Sequence, residues 1–565
     1  MSAAATADGA PARPDDIAEA PRAPMQPSTP PQAGSGAAVS MAWRMAFASP
    51  LYRLTLAGPV PREFRRIPRD PWPGESAHGE ELRRAEAEMQ EALRFAGGAG
   101  EPARQAWLHG FRWLRDLRAL GGDEARRQAR ELVAAWIAEH DRWSEIAWRP
   151  DVLGARLVAW LGNHDFFAAS ADDRFRAGLR RSIARQARHL ARTVRRAPAG
   201  AARIAAIHGL LVSGAALPDG DRRMAAAVRL LERELPGQIL GDGGHVERSP
   251  SVHLEVLRRL VEIRTLLRAA GMAAPEILGA SIERMAPMLR FFRHGDGGLA
   301  LFNDSNEEEG WAVDLALTQA DAKGRPGASA PDSGFERLVA NRTLVLMDVG
   351  APPPPGLDGH AHAGTLSFEM SVGKERLIVN CGAHAGGRAA WRQVQRSTAA
   401  HSTASIADTS SAEILPDGRL GRRPITVTVT RQSDSGNSWV EASHDGYRDT
   451  HGIRHTRRVY LAAGGDDFRG ADSFAGPAGR AFTLRFHLHP DVKPLMVHDD
   501  SAVLLRLPSG ASWRLRAAGG RLSLAESVYL GERGVVRRCE QVVIEGVTGA
   551  EETQVRWAFQ ALPKR

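Results

Sequence analysis

The sequence predicts an α+β multidomain protein, a serial array of antiparallel helices followed by an antiparallel β-sandwich, and three observations predict it. Across 80–287 apolar residues recur at helical spacing, as in Leu114, Leu117 and Leu120 and again in Leu132, Trp136 and Ile137. From Gly334 the period changes to two, in short apolar and β-branched runs separated by Gly, Asp and Pro turns. Between these regions 322–333 is rich in Gly, Pro, Ala and Ser, the composition of a linker. A chain of 565 residues is too long for one core. The expected organisation is therefore a disordered segment over 1–40, a helical domain over 41–321, a linker over 322–333 and a sandwich over 334–565.

Residues 1–36 are Ala/Pro-rich without apolar periodicity and lack the uninterrupted apolar run of a signal peptide. The next stretch, MAWRMAFASPLYRLTLAG from Met41, is apolar and basic, with the character of a weak export or membrane-surface signal that arginines interrupt. No later stretch reaches the ~18–20 apolar residues of a transmembrane segment, so a soluble chain is expected. Helices are predicted over 152–161 after Pro150, then 176–196, 204–217, 224–235 and 250–270. Strands are predicted over 342–349, over a hairpin of 366–372 and 377–379 turned at Gly373 and Lys374, and over 425–430, 457–461, 482–488, 503–507, 513–516 and 542–547.

A hydrophobic fraction of 43% and a charged fraction of 25% exclude a disordered chain, and the net charge of +8 favours an acidic partner. The basic residues are dispersed and no aromatic-basic motif occurs, which argues against specific nucleic-acid binding. With only Cys381 and Cys539, a disulfide scaffold and a CxxC zinc module are both excluded.

Two stretches carry candidate chemistry. In HAHAGTLSFEMSVGKERLIVNCG, 360–382, residues i and i+2 of an extended chain point to one side, so His360 and His362 are expected to face one cleft. In LGDGGHVERSPSVH, 240–253, Ser249 is a good N-cap and Pro250 a good first helical residue. That loop sets His245, Glu247 and Arg248 at a helix N-terminus, suited to an anion such as a sugar carboxylate, or serves as an ordinary capped turn. His208 lies mid-helix among Ile204, Ile207, Leu210 and Leu211, where a histidine is either a core residue or a buried functional one.

These motifs, with LIVNCGAH, AAHST around His401, HDGY at 444–447 and RFHLHP at 485–490, resemble the bacterial heparinase II/III family of polysaccharide lyases. The resemblance covers most of the chain after about Trp72. It implies an incomplete α/α toroid followed by the sandwich, and β-elimination of a uronate-containing, glycosaminoglycan-like acidic polysaccharide in the groove between them. Elimination needs a base for the C5 proton, an acid for the leaving oxygen and a counter-charge for the carboxylate. By resemblance His360 acts near the leaving-group oxygen or the carboxylate, and His208 comes from the toroid helix that carries the family's charge-neutralising residue. The family's tyrosine position before His253 holds Val252, so the proton role passes to His253, His245 or Glu247, with Arg248 binding substrate, or is absent. The resemblance also implies one structural zinc on His362, Asn380 and His401, with Asp408 or Cys381 as substitute ligands, the alternative being a hydrogen-bonded histidine cluster that orders the hairpin. It further implies a place in the cell envelope or periplasm, the cytoplasm being the alternative. The alternative to an enzyme is a catalytically impaired homologue that binds carbohydrate or organises the envelope.

Overall fold

The computed structural model of the chain describes residues 33–94, 102–218, 220–384, 389–497 and 501–563. Residues up to Tyr52 form one unit and the chain from Arg53 a second. In the first, Ala33–Ala48 is a helix, so the described part of the segment expected to be disordered, 33–40, is helical, and 1–32 lies outside the described residues. Met41, Trp43 and Met45 are exposed on it. Among the described residues no helix is long and apolar enough to cross a membrane.

The second unit begins with helices, from Ser76–Arg84 to Gly310–Ala320. Ala201–Ala216 is the innermost: from Ile204 onward every residue is buried, as a helix apolar on all sides requires. It lies against Pro150–Gly162 at Gly154 and Gly209, where a Cβ on Gly209 would stand 2.3 Å from the Gly154 Cα. Only glycines allow that approach. Pro250–Ala269 starts as its sequence predicts, with Pro250 in its first turn and Ser249 Oγ accepting the Val252 N–H.

The strands form two sheets, and every recorded pairing between strands is antiparallel. The first runs Ser329–Ala330, Phe335–Ala340, Thr343–Asp348, Phe368–Val372, Glu375–Val379, Ala481–Leu488, Arg537–Val547, Arg521–Tyr529, with Ala404–Ile406 beside Ala481–Leu488. The second runs Lys493–Val497, Ala502–Arg506, Ser512–Ala518, Thr553–Ala561, Asp467–Ala475, Ile453–Leu461, Asn437–Tyr447, Val427–Asp434. Phe368, Phe468, Phe486, Trp557 and Phe559 pack between them, with Phe368 stacked on Trp557 at 5.5 Å. Inside this layer Arg457 and Asp472, both 0% exposed, pair at 2.8 Å. The Arg457 guanidinium also donates to the carbonyls of Leu366 and Ser402, each at 2.8 Å. The first hairpin strand therefore starts at Phe368 rather than at 366: Leu366 takes a φ of 64°.

The two halves are tied by the loop before Pro250–Ala269. Arg248 is buried, and its guanidinium donates to Ser333 O at 2.6 Å and Gly334 O at 3.1 Å and pairs with Asp348. Asp242 accepts from the Ser333 N–H at 2.6 Å.

Candidate active site at the paired histidines

Three segments meet beside this tie: the 240–253 loop, the turn FNDSNEEE over 302–309 and the loop that carries His360 and His362. The turn is tightly bent, with positive φ at Asn303, Asp304 and Glu308. Asn303 clamps its neighbours by donating to Arg248 O at 2.9 Å and accepting the His362 N–H at 2.9 Å. Ser305 bonds the Ser249 hydroxyl at 3.0 Å and the Ser251 N–H at 3.1 Å. So held, Asp304 accepts from His360 Nδ1 through Oδ2 at 3.1 Å, and its backbone N–H donates to His362 Nε2 at 3.0 Å, with Oδ1 3.1 Å from the same nitrogen. The paired histidines lie in an irregular loop rather than on a strand, yet they converge on one aspartate.

The chain of bonds continues inward. His401 Nδ1 must donate to Ser397 O at 2.7 Å, because a carbonyl only accepts, which leaves His401 Nε2 to accept from His362 Nδ1 at 3.1 Å. Outward, His360 Nε2 stands 3.8 Å from Glu247 Oε2, and its side chain is 43% exposed. The other Glu247 oxygen accepts the Ala201 N–H at 2.7 Å, at the start of the innermost helix. Gly200 leaves room for it, since a Cβ there would lie 2.0 Å from Glu247 Oε1.

Burial opposes the charge on His360, but the hydrogen bond and charge of Asp304, aided by Glu247, outweigh it and raise its pKa above 6.5. Burial likewise opposes the Asp304 carboxylate, and the hydrogen bond from His360, with the neighbouring His362, holds it well below the usual range. Burial raises Glu247. It lowers His362, against Asp304, and carries His401 far down. Asp304 thus shifts the outermost imidazole of the series toward its protonated form, and burial shifts the inner two toward the neutral one.

The heparinase II/III N-terminus family matches residues 115–321, and the heparinase II/III-like C-terminal family matches 322–558. The chain belongs to the heparinase II/III family. A relative, FtsZ-localized protein C of Caulobacter vibrioides (strain NA1000 / CB15N), is 33% identical over 544 residues, which cover 90% of this chain and 92% of that one. Among solved structures, heparinase III superposes with a TM-score of 0.64 at 15% identity over 82% of this chain and 76% of its own. Heparan sulfate lyase HepC from Pedobacter heparinus gives 0.56 at 16% identity over 91% and 87%. These likenesses show the fold, a toroid followed by a β-sandwich.

On this heparinase fold the other expected site residues are placed differently. His245 is buried, with Nε2 3.3 Å from Gln238 Oε1, and burial followed by the neighbouring His253 and His360 lowers its pKa to about 3. His253 donates from Nε2 to Met285 O at 2.8 Å, and burial lowers it to about 4. Val252 is 8% exposed. His208 lines a different, small cavity with Arg112, Glu255 and Arg259. There its Nε2 is 3.4 Å from Glu262, whose other oxygen accepts the Trp72 indole N–H. Burial lowers His208 to about 3 and, with Asp70, raises Glu262 to about 7. The Arg248 guanidinium, expected at the substrate, is turned into the joint between the halves.

The zinc set does not fit. Asn380 Oδ1 accepts the Ser402 N–H at 3.0 Å, and its NH2, buried without a partner, is a donor that repels a cation. His362 and His401 satisfy one another, Ser397 and Asp304. Burial pushes the Cys381 thiol up to about 12, which withholds the thiolate zinc prefers. Asp408 is exposed on a separate turn. Among the described residues no three His, Cys, Asp or Glu side chains are arranged to hold a metal ion.

A cavity of about 680 Å³ opens where the toroid meets the 531–535 loop of the sandwich, lined by Trp72, Trp107 and Trp311 with Arg112, Arg258 and Arg533. Glu308 forms part of its wall and accepts from Ser251 Oγ at 2.7 Å, one residue before Val252. Sequence reasoning missed Asp304, which reads as one acid in an acidic turn; the Asn-Asp pair, prone to the left-handed backbone, was the available signal.

Proposed function

We propose that this chain is a lyase-fold protein of the cell envelope that has lost uronate elimination and works at the division site, holding a saccharide chain in its groove without cutting it. The carrying observation is that no proton-transferring side chain stands at the position before His253, and that the histidines of this loop are buried. Val252 stands in the tyrosine position, and His245 and His253 are buried, neutral and hydrogen-bonded. The exposed imidazole, His360, is hydrogen-bonded to Asp304, which raises its pKa above 6.5 and favours the protonated form, the form that gives a proton. The kinship with a protein named for its localization with FtsZ supports the division-site role.

A second reading, an eliminase of acidic polysaccharide, is favoured by one observation: the Glu247 carboxylate lies 3.8 Å from His360, an acid beside a potential base. A panel of uronate polysaccharides, followed by the near-ultraviolet absorption of the unsaturated product, separates the two. The first reading expects a silent wild type and activity created by Val252→Tyr. Wild-type turnover that drops about 10²-fold in His360→Ala would replace it with the second. A fluorescent fusion that fails to co-localise with FtsZ would remove the division-site role.

A further inference from the structure

We infer that the outer face of the second sheet is a docking site for an acidic, partly apolar peptide segment of a partner protein, independent of the lyase groove. Five neighbouring strands build it: Ser512–Ala518, Thr553–Ala561, Asp467–Ala475, Ile453–Leu461 and Asn437–Tyr447. Their inward residues, such as Leu515, Trp557, Phe468 and Val459, fill the core, so the alternate residues face out. Register decides what those residues make. Ala471 lies between Arg556 on one neighbour and Arg458 on the other, and Ala558 lies between Arg469 and Arg516. Each small side chain is thus flanked by two arginines. The result is a depression of about 560 Å³ floored by alanines, rimmed by those four arginines and bounded at one end by Trp439 against Tyr460, 5.0 Å apart.

The rim is not self-neutralised. Arg458 pairs with Glu441 and Arg469 with Asp467. Arg516 and Arg556 have no carboxylate partner among the described residues, and the Arg556 Nε donates to the amide of Gln554 at 2.7 Å. The unmatched positive charge sits at one end of an apolar trough. Carboxylates suit this rim because guanidinium binds them bidentately. The floor decides the rest: alanine methyls and backbone already paired within the sheet offer a sugar no hydrogen bonds, whereas they accept aliphatic side chains. Alternating acidic and apolar residues would set charge on the rim and methyls on the floor.

A fluorescein-labelled peptide of alternating Glu and Leu, titrated against the full chain and read by fluorescence anisotropy, tests this. Binding is expected to weaken with salt and to fall by about 10-fold or more in the Arg516→Glu/Arg556→Glu variant, the scale of a lost docking charge pair. Ala558→Trp, which fills the floor while keeping every arginine, should also reduce it. If either variant unfolds, Arg516→Ser at an exposed position reads the same loss. Unchanged binding in folded variants would overturn the proposal, as would equal binding of a Lys–Leu peptide. So would heparin or phosphatidylglycerol vesicles binding through this face while the Glu–Leu peptide does not.

Discussion

Two buried clusters join paired histidines to an aspartate among the described residues, one in the sandwich core and one at the groove, and they differ in one respect. In the sandwich core His444, His455 and Asp472 join Arg457; the His455–Asp472 contact is 2.6 Å, and Trp557 closes the second Asp472 oxygen at 2.7 Å. Nothing in it faces solvent. At the groove Asp304, His362 and His401 repeat the imidazole–carboxylate pattern, but the series ends in His360 with its far side open. A closed network can only stabilise, because no proton enters or leaves it without breaking the core. An open-ended one can hold a charge where a ligand will meet it.

Mutation should separate the clusters by size of effect. Asp472→Ala strands Arg457 in an apolar layer and should cost ~3–5 kcal/mol in urea unfolding, while the double change Arg457→Met/Asp472→Leu should recover much of that loss. A single variant as stable as wild type would erase the distinction. Next in size, Arg248→Ala leaves the Asp348 carboxylate buried between the halves and should cost about 3 kcal/mol in the same assay.

At the open cluster Asp304→Asn should cost about 1–2 kcal/mol, the scale of a charged hydrogen bond. Its pH dependence follows from the two shifts. The contribution of His360, raised above 6.5, is complete below that value and fades as pH rises through the raised pKa. The contribution of Asp304, depressed below 3.8, is complete above that value and fades as pH falls through the depressed one. The gap in melting temperature between wild type and Asp304→Asn should therefore be widest between 3.8 and 6.5 and narrow on either side. An NMR titration of the His360 ring should move to lower pH in the variant, and an unmoved midpoint would deny the pairing. Smallest of all, His360→Ala should change stability by about 1 kcal/mol or less, as expected of a half-exposed side chain.

The change from helical to strand periodicity was legible in the sequence because amphipathic spacing is local. Asp467–Ala475 was not, since DFRGADSFA carries Asp, Gly and Ala, residues that strands usually avoid. Its reasons are tertiary: a Cβ on Gly470 would lie 2.1 Å from the Trp557 ring, and Asp472 answers Arg457. The histidine pair and Glu247 could be picked out by residue type and spacing. Asp304, which joins them, could not, because it arrives from a turn 56 residues before His360 and its acidic neighbours disguise it. Arg248 shows the opposite failure: its position beside a helix N-terminus suggested a ligand, and its partners, 85 and 86 residues away at Ser333 and Gly334, make it a joint.

That joint has a mechanical consequence. The loop that carries Glu247 to His360 is the same loop whose next residue bolts the toroid to the sandwich, and Asn306 adds a second bolt to Ala383 O at 2.6 Å and Leu530 O at 3.0 Å. Spreading the halves by even a few ångströms would pull these donors off their carbonyls and drag Glu247 from His360 in the same movement. The distance between jaw and charge is therefore a single coordinate, and a chain entering the groove must thread between fixed walls.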